Sequence, residues 1–251
     1  MSYFLYNGYS CYYEEYGKGE PVIFLHGNTA SSKMFELLCP LYQEQIRMIL
    51  VDFLGNGKSD RVTNFPPDMW HDQALQTIAL IEHLKLEKVH LIGSSGGAWT
   101  ALNIALEIPE KIDRVVADSF DGRTLHNNFA EELILERNFA TQNPEASQFY
   151  EWCQGADWKT VVDLDTEALL ACAKSDIPLF CKDISNLSNA VLLLGSMEDK
   201  MTRKHILHEY QEMKHLMQNV SIHMFETGNH PAILSNAEEA AMIILDFLLK
   251  K

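Results

Sequence analysis

The chain has 251 residues, long enough for one sizeable α/β core carrying an insertion. Hydrophobic residues make up 47% and charged residues 22%, an ordinary globular balance, while 35 acidic against 20 basic side chains leave a net charge of −15. A surface that acidic, with no lysine or arginine cluster, argues against nucleic acid and against anionic membranes as partners.

The first ten residues, MSYFLYNGYS, show no basic head before a long apolar run, so no signal peptide is expected. Asn7-Gly8 supplies turn chemistry for a β-hairpin, and Gly17 and Gly19 close its second strand. A rhythm follows in which short apolar runs alternate with longer amphipathic segments. The runs are PVIFLHG (21–27), RMILVDF (47–53), KVHLIGS (88–94), DRVVADS (113–119), AVLLLGS (190–196) and VSIHMFE (220–226). Continuous runs of this length suit strands buried on both faces of a parallel sheet. Segments near 32–45, 71–85, 96–108, 203–217 and 236–250 are predicted as the covering helices.

Between about Arg123 and Asn189 the rhythm breaks. Helix-like pieces such as FAEELILERNFA and DTEALLACA, punctuated by Pro144, Gly155 and Pro178, replace the strands. The expectation is a core formed by 1–122 and 190–251 with a helical cap, 123–189, laid over the sheet. No run is long enough for a membrane span. The cysteines (Cys11, Cys39, Cys153, Cys172, Cys181) are odd in number and form no C-x-x-C pair. Free thiols in a reducing compartment follow, and with them a soluble, cytoplasmic protein.

The ends of the strands are where an open parallel sheet meets its ligands. GNGKS at 55–59 looks like the close of a phosphate loop, but the position five before Gly57 is Asp52, and a carboxylate there would repel phosphate. GSSGG at 93–97 lies between an apolar run and a predicted helix and matches G-x-S-x-G, the sharp turn that lifts a serine out of a sheet. Small residues must flank the nucleophile two positions away on each side. Gly93 and Gly97 do so for Ser95, whereas Ser94 would have Ile92 as one flank. A serine needs a base, and the base an orienting acid. Glu198 and Asp199 follow one strand, and His230 follows the last.

HGN (26–28), DFLGNGKSD (52–60), GSSGG (93–97), GSMED (195–199) and GNHPAILSNAEE (228–239) together resemble the α/β-hydrolase superfamily over essentially the full length. The resemblance implies a mostly parallel sheet with helices on both faces and a helical cap. It implies catalysis by Ser95, Asp199 and His230, with Glu198 as the reserve acid and the backbone N–H groups of Asn28 and Gly96 as the oxyanion hole. It makes GNGKS a scaffold turn and His26 a scaffold histidine. Neither metal nor organic cofactor is implied, and the expected partner is a small-molecule acyl substrate.

Serine members of this superfamily cleave esters, thioesters, amides, lactones and carbon–carbon bonds, and some hydrolase-like proteins act as ligand receptors. The expected activity here is hydrolysis of a small, rather apolar ester. HEYQE (208–212) falls one histidine short of a zinc motif and is expected on a solvated helix face. The insertion aromatics Phe129, Phe139, Phe149, Tyr150, Trp152, Trp158 and Phe180 are expected mostly as cap core, a minority lining an apolar pocket. Trp99 is expected to pack rather than act.

Overall fold

A computed structural model describes residues 2–250. Eight strands form one sheet: β1 (Ser2–Tyr6), β2 (Tyr9–Tyr16), β3 (Glu20–Leu25), β4 (Ile46–Val51), β5 (Val89–Ser94), β6 (Ile112–Asp118), β7 (Ala190–Ser196) and β8 (Val220–Phe225). Their spatial order is β1-β2-β4-β3-β5-β6-β7-β8. β1 and β2 pair antiparallel to each other and β2 antiparallel to β4, and every later pairing is parallel. Asn7 (φ 50°) and Gly8 (φ 86°) take the two left-handed positions that a two-residue hairpin turn requires.

Because alternate side chains leave opposite faces of a strand, β3 feeds two cores at once. Ile23 and Leu25 pack with α3 (Met69–His83), α4 (Gly96–Glu107) and α8 (Ile206–Leu216). Val22 and Phe24 pack with α1 (Lys33–Glu36), α2 (Cys39–Tyr42), α9 (Ala232–Ser235) and α10 (Ala237–Leu249). The expected helices are met except at 32–45, which is split in two. Pro40 lacks the N–H that a helix interior uses, so it opens α2 instead of continuing α1. β3 to β7 are buried on both faces as expected. β8 is not: as the edge strand it leaves Ser221 exposed and Ile222 to Met224 half-buried.

Between β6 and β7 lie α5 (Phe129–Gln142), α6 (Pro144–Gln154) and α7 (Trp158–Lys174). Pro144 opens α6 while the Asn143 side chain accepts from the N–H groups of Glu145 and Ala146, so the break anticipated there is a capped helix start. The three helices share a small core of Ala140, Tyr150, Trp158 and Val162. The expectation that most insertion aromatics would be core does not hold. Tyr150 and Trp158 are buried, whereas Phe139 is 65% exposed and Phe149 and Trp152 are also open to solvent. Phe149 and Trp152 pack on one another instead, with ring centroids 6.1 Å apart.

HEYQE departs from expectation too. His208 is exposed, but Glu209 is buried and takes Arg123 Nε at 2.8 Å and Arg203 Nη1 at 3.3 Å. This ion cluster anchors α8 under the loop after β6 and uses the carboxylate that a metal would need. The cysteines are unpaired and four of the five are buried. Among the described residues, no helix is long and apolar enough to cross a membrane.

Candidate active site

The order of the strands reverses around β3, which has β4 on one side and β5 on the other. The crevice beyond the carboxyl ends of these strands is where an open sheet leaves room for a ligand. Ser95 follows β5 there with φ 55° and ψ −122°, a conformation that L-residues avoid and that costs of order 1–3 kcal/mol. The turn is held by Ser95 N donating to Asp118 O (2.8 Å) and by Ala98 N donating to Ser95 O (2.9 Å). It closes only on glycine. A Cβ on Gly93 would lie 2.0 Å from Gly97 O, and one on Gly97 would lie 2.0 Å from Leu25 O.

Ser95 lines a cavity of about 390 Å³, roofed by Phe129, Leu133 and Phe149 and walled by Trp99 and His230. Of the five non-glycine residues with positive φ among the described residues, three (Thr29, Ser95 and Ser119) line this one cavity. The remaining two mark the β1–β2 turn and the end of α3. A larger cleft of about 660 Å³ near Leu125, Ile177 and Leu216 contains none of these residues.

His230 enters from the loop after β8. Its Nδ1 is 2.8 Å from Asp199 Oδ2, and Asp199 is 8% exposed. The other oxygen, Asp199 Oδ1, accepts from Met201 N at 2.8 Å. Glu198 is exposed and reaches only Gly228 N, at 3.4 Å. Thus the structure brings Ser95 and His230 to one cavity and Asp199 to His230, while Glu198 stays outside. With Nδ1 turned to Asp199, Nε2 is the ring nitrogen left for the cavity.

Asn28 and Gly96 lie beside Ser95. The Gly96 N–H opens α4, where no earlier helical carbonyl can reach it. Among the described residues the Asn28 N–H finds no protein acceptor. The Asn28 side chain is fully engaged: Nδ2 donates to Asp165 Oδ2 (2.7 Å), and Oδ1 accepts from Trp70 Nε1 (3.2 Å). The indole can only donate and the carboxylate only accept, so the orientation of the amide is fixed.

His26 is 2% exposed and faces away from this chemistry. Phe53 N donates to its Nε2, which places the proton on Nδ1 toward Gly27 O, and burial lowers its pKa. GNGKS is likewise spent on scaffolding. Asp52 takes Ser32 N and Lys58 N at 2.7 Å each, and Lys58 Nζ reaches Tyr12 OH.

Several residues at the site had no sequence signal of a role. Asp118 ends β6 beneath the elbow, fully buried, accepting from Ser94 Oγ and Ser119 Oγ at 2.9 Å each. Burial pushes its carboxyl up to about 7 despite those two hydroxyls and His230. A strand-end ADSFD was visible in the sequence, but its depth was not. Asp165 and Arg137 lie in the insertion. Burial raises the Asp165 carboxyl against the pull of Arg137. Trp99 packs as expected, stacked on Trp70 with ring centroids 4.3 Å apart, yet it also forms part of the cavity wall.

Two other groups of metal-ligating side chains do not suit an ion. Glu107, beside His71 and Cys181, already pairs with Lys182 Nζ at 3.0 Å, and burial, with Glu107 second, raises the Cys181 thiol to about 11. His90, beside Glu20 and Asp113, would bind through Nε2 and strand a protonated Nδ1, which is buried without a partner.

A family profile described as "alpha/beta hydrolase fold" matches residues 20–237. The chain is 35% identical over 109 residues to a 2-hydroxy-6-oxo-6-phenylhexa-2,4-dienoate hydrolase of Comamonas testosteroni, covering 42% of this chain and 38% of that one. It is 34% identical over 125 residues to a proline iminopeptidase of Clostridium botulinum, covering 47% and 42%. The matched stretch therefore spans about two fifths of each curated relative. An esterase structure from Exiguobacterium antarcticum superposes with a TM-score of 0.77 at 22% identity, covering 99% of both chains.

Proposed function

The chain belongs to the α/β-hydrolase fold family, and on that premise we propose that it is a serine hydrolase of small, uncharged, largely apolar carboxylic esters or related acyl compounds. The observation that carries this reading is the 2.8 Å contact of the buried Asp199 with His230, which lines the same cavity as the strained Ser95. Three residues distant in sequence have little other reason to converge there.

In this mechanism Ser95 Oγ attacks the substrate carbonyl as its proton passes to His230 Nε2. The resulting oxyanion is held by the N–H groups of Asn28 and Gly96, donors of a kind worth about 3–4 kcal/mol each when well aimed. Asp199 keeps the Nδ1 proton in place and stabilises the imidazolium. His230 then gives its proton to the departing alkoxide, leaving Ser95 acylated. Water, deprotonated by His230, attacks the acyl carbon, and collapse of the second oxyanion releases the acid and restores Ser95. The α5–α7 segment serves as the cap, closing an apolar chamber in which these charges are poorly solvated.

A carbon–carbon hydrolase is the second reading, favoured by the Comamonas relative, whose name gives a dienoate as substrate. The charge of the cavity argues against an anionic substrate. Among the described residues, Arg137 is the only Lys or Arg lining it. That guanidinium already donates to Glu136, Tyr150, Asp165 and Thr166. Asp121 and Glu136 add carboxylates to the lining.

The test is turnover of a series of p-nitrophenyl esters of increasing acyl length, with Ser95→Ala as control. Turnover of short to medium esters that disappears in Ser95→Ala is expected. Equal turnover in both proteins, or none in either, would overturn the proposal.

A further inference from the structure

We infer that Asp165 is a positioning residue for the oxyanion hole: from the helical insertion it grips the Asn28 side chain and so aims the Asn28 N–H only while α7 is seated. The inference rests on the serine-hydrolase reading above.

Asn28 is held from two sides that differ in kind. On one side stand Trp70 and Met69 of α3, both in the main core, with Trp70 Nε1 donating to Oδ1 and Nδ2 lying 3.4 Å from Met69 Sδ. Trp70 is itself braced against Trp99 of the elbow helix. On the other side stands Asp165 of α7, 137 residues away in sequence, 3% exposed and 2.7 Å from Nδ2. The second oxygen of Asp165 accepts from Arg137 Nη2 of α5 at 3.0 Å, and Arg137 in turn holds Glu136 of α5 and Tyr150 of α6. The positions of all three insertion helices therefore converge on one carboxylate, and that carboxylate ends on one amide.

The amide also lies across the second donor. A Cβ on Gly96 would sit 2.2 Å from Asn28 Oδ1 and 2.7 Å from Trp70 Nε1. The Asn28 side chain thus packs directly on the peptide that contributes the Gly96 N–H. Thr29, the next residue, has φ 58°, so the loop is held in a conformation that its own backbone does not favour. A loop strained in this way relaxes when a clamp is removed, and the relaxation displaces the Asn28 N–H. Asp165 touches no reacting atom. It acts through Asn28, and it couples closure of the insertion to the stabilisation of negative charge.

Asp165→Asn isolates this role, because the variant has one oxygen for two donors. If that oxygen serves Arg137, an NH2 faces Asn28 Nδ2. If it serves Asn28, the NH2 faces a guanidinium. Asn28→Ala removes the clasp from the other end and keeps the backbone N–H. The experiment measures kcat and KM on one neutral ester for wild type, both single variants and the double, each scaled by fluorophosphonate titration of active sites. It adds the affinity of a trifluoromethyl ketone, whose serine adduct carries the oxyanion, and of the matching alcohol, which fills the cavity without forming one.

Complete loss of an oxyanion donor costs about 10²–10³ in kcat. A displaced donor is expected to cost about tenfold, with KM and alcohol affinity unchanged and ketone affinity falling by the same factor as kcat. The double variant is expected to be no worse than Asn28→Ala. A titrated kcat unchanged in either single variant would overturn the inference. So would equal losses of ketone and alcohol affinity, the mark of general loosening, or losses that multiply in the double. If Asp165→Asn does not fold, Asn28→Ala decides by the same criteria. A wild type that neither labels nor turns over any ester removes the hydrolase reading and this inference with it. An active wild type beside unaffected variants removes only the inference.

Discussion

Replacing Asp199 by asparagine probes how the base of this site is oriented, and the surrounding contacts determine what the substitution does. Asp199 uses both oxygens, one for Met201 N at 2.8 Å and the other for His230 Nδ1 at 2.8 Å. Asparagine keeps one oxygen. The backbone N–H of Met201 cannot turn into an acceptor, so that oxygen stays on Met201 and the new NH2 faces His230. A donor at that place demands a bare Nδ1, which moves the imidazole proton to Nε2, the nitrogen that accepts from Ser95 in the proposed mechanism. The base is then occupied before the reaction starts. Loss of the correct tautomer at an intact triad costs about 10⁴ in kcat, or about 5 kcal/mol of transition-state stabilisation. Glu198→Gln, at an exposed side chain that reaches only Gly228 N, is expected to leave kcat unchanged. Both variants are assayed on one p-nitrophenyl ester with active sites titrated. Asp199→Asn within tenfold of wild type, or a comparable fall in Glu198→Gln, would refute the reasoning.

Three further outcomes follow from the same structure. Asp118 has its carboxyl raised from 3.8 to about 7 chiefly by burial. The folded protein therefore holds a proton that the unfolded chain has lost between these values, and stability falls as pH rises from about 4 to 7. The full penalty above 7 is roughly 4 kcal/mol. Asp118→Asn cannot ionise, so in urea melts it should gain on wild type toward pH 8 and lose that gain toward pH 4. A difference independent of pH would contradict this. Gly97→Ala puts a Cβ 2.0 Å from Leu25 O and 2.8 Å from His26 O, backbone atoms that cannot give way, and is expected to cost about 3 kcal/mol or prevent folding. An unchanged thermal midpoint would exclude that clash. Finally, a succinate half-ester should show kcat/KM at least about tenfold below that of the neutral butyrate, since among the described residues no free cation lines the cavity to meet its charge. Equal values would mean that Arg137 leaves its partners for the substrate.

The core was legible in the sequence because its physics is local. Runs such as VHLI and AVLLLG must be buried strands, and Gly93 and Gly97 must be glycine because any side chain there strikes backbone. Strand ends also marked Asp199 and His230, since the carboxyl edge of a parallel sheet collects whatever follows each strand. The choice between Glu198 and Asp199 was not legible, because it depends on which of two adjacent side chains points inward. Folding sets them apart, with Asp199 covered beside His230 and Glu198 exposed, and this supports Asp199 as the proposed acid. Nothing local could join Asn28 to Asp165 or Arg137 to Tyr150, since these contacts form only when the insertion lies on the sheet. The insertion aromatics depart from expectation for a related reason. Helices that pack on a larger body need less core of their own, so Phe139 and Trp152 are left at the surface.

In the proposed mechanism Ser95 is a nucleophile activated for acyl transfer. Fluorophosphonate labelling of wild type, Ser95→Ala and Ser94→Ala, read by intact mass, tests it most directly. Ser94 is a sharp control, because it is fully buried and its hydroxyl donates to Asp118. One adduct is expected on wild type and on Ser94→Ala, and none on Ser95→Ala. No adduct on folded wild type, or an adduct that survives Ser95→Ala, would contradict it and favour a ligand-binding protein built on a hydrolase scaffold.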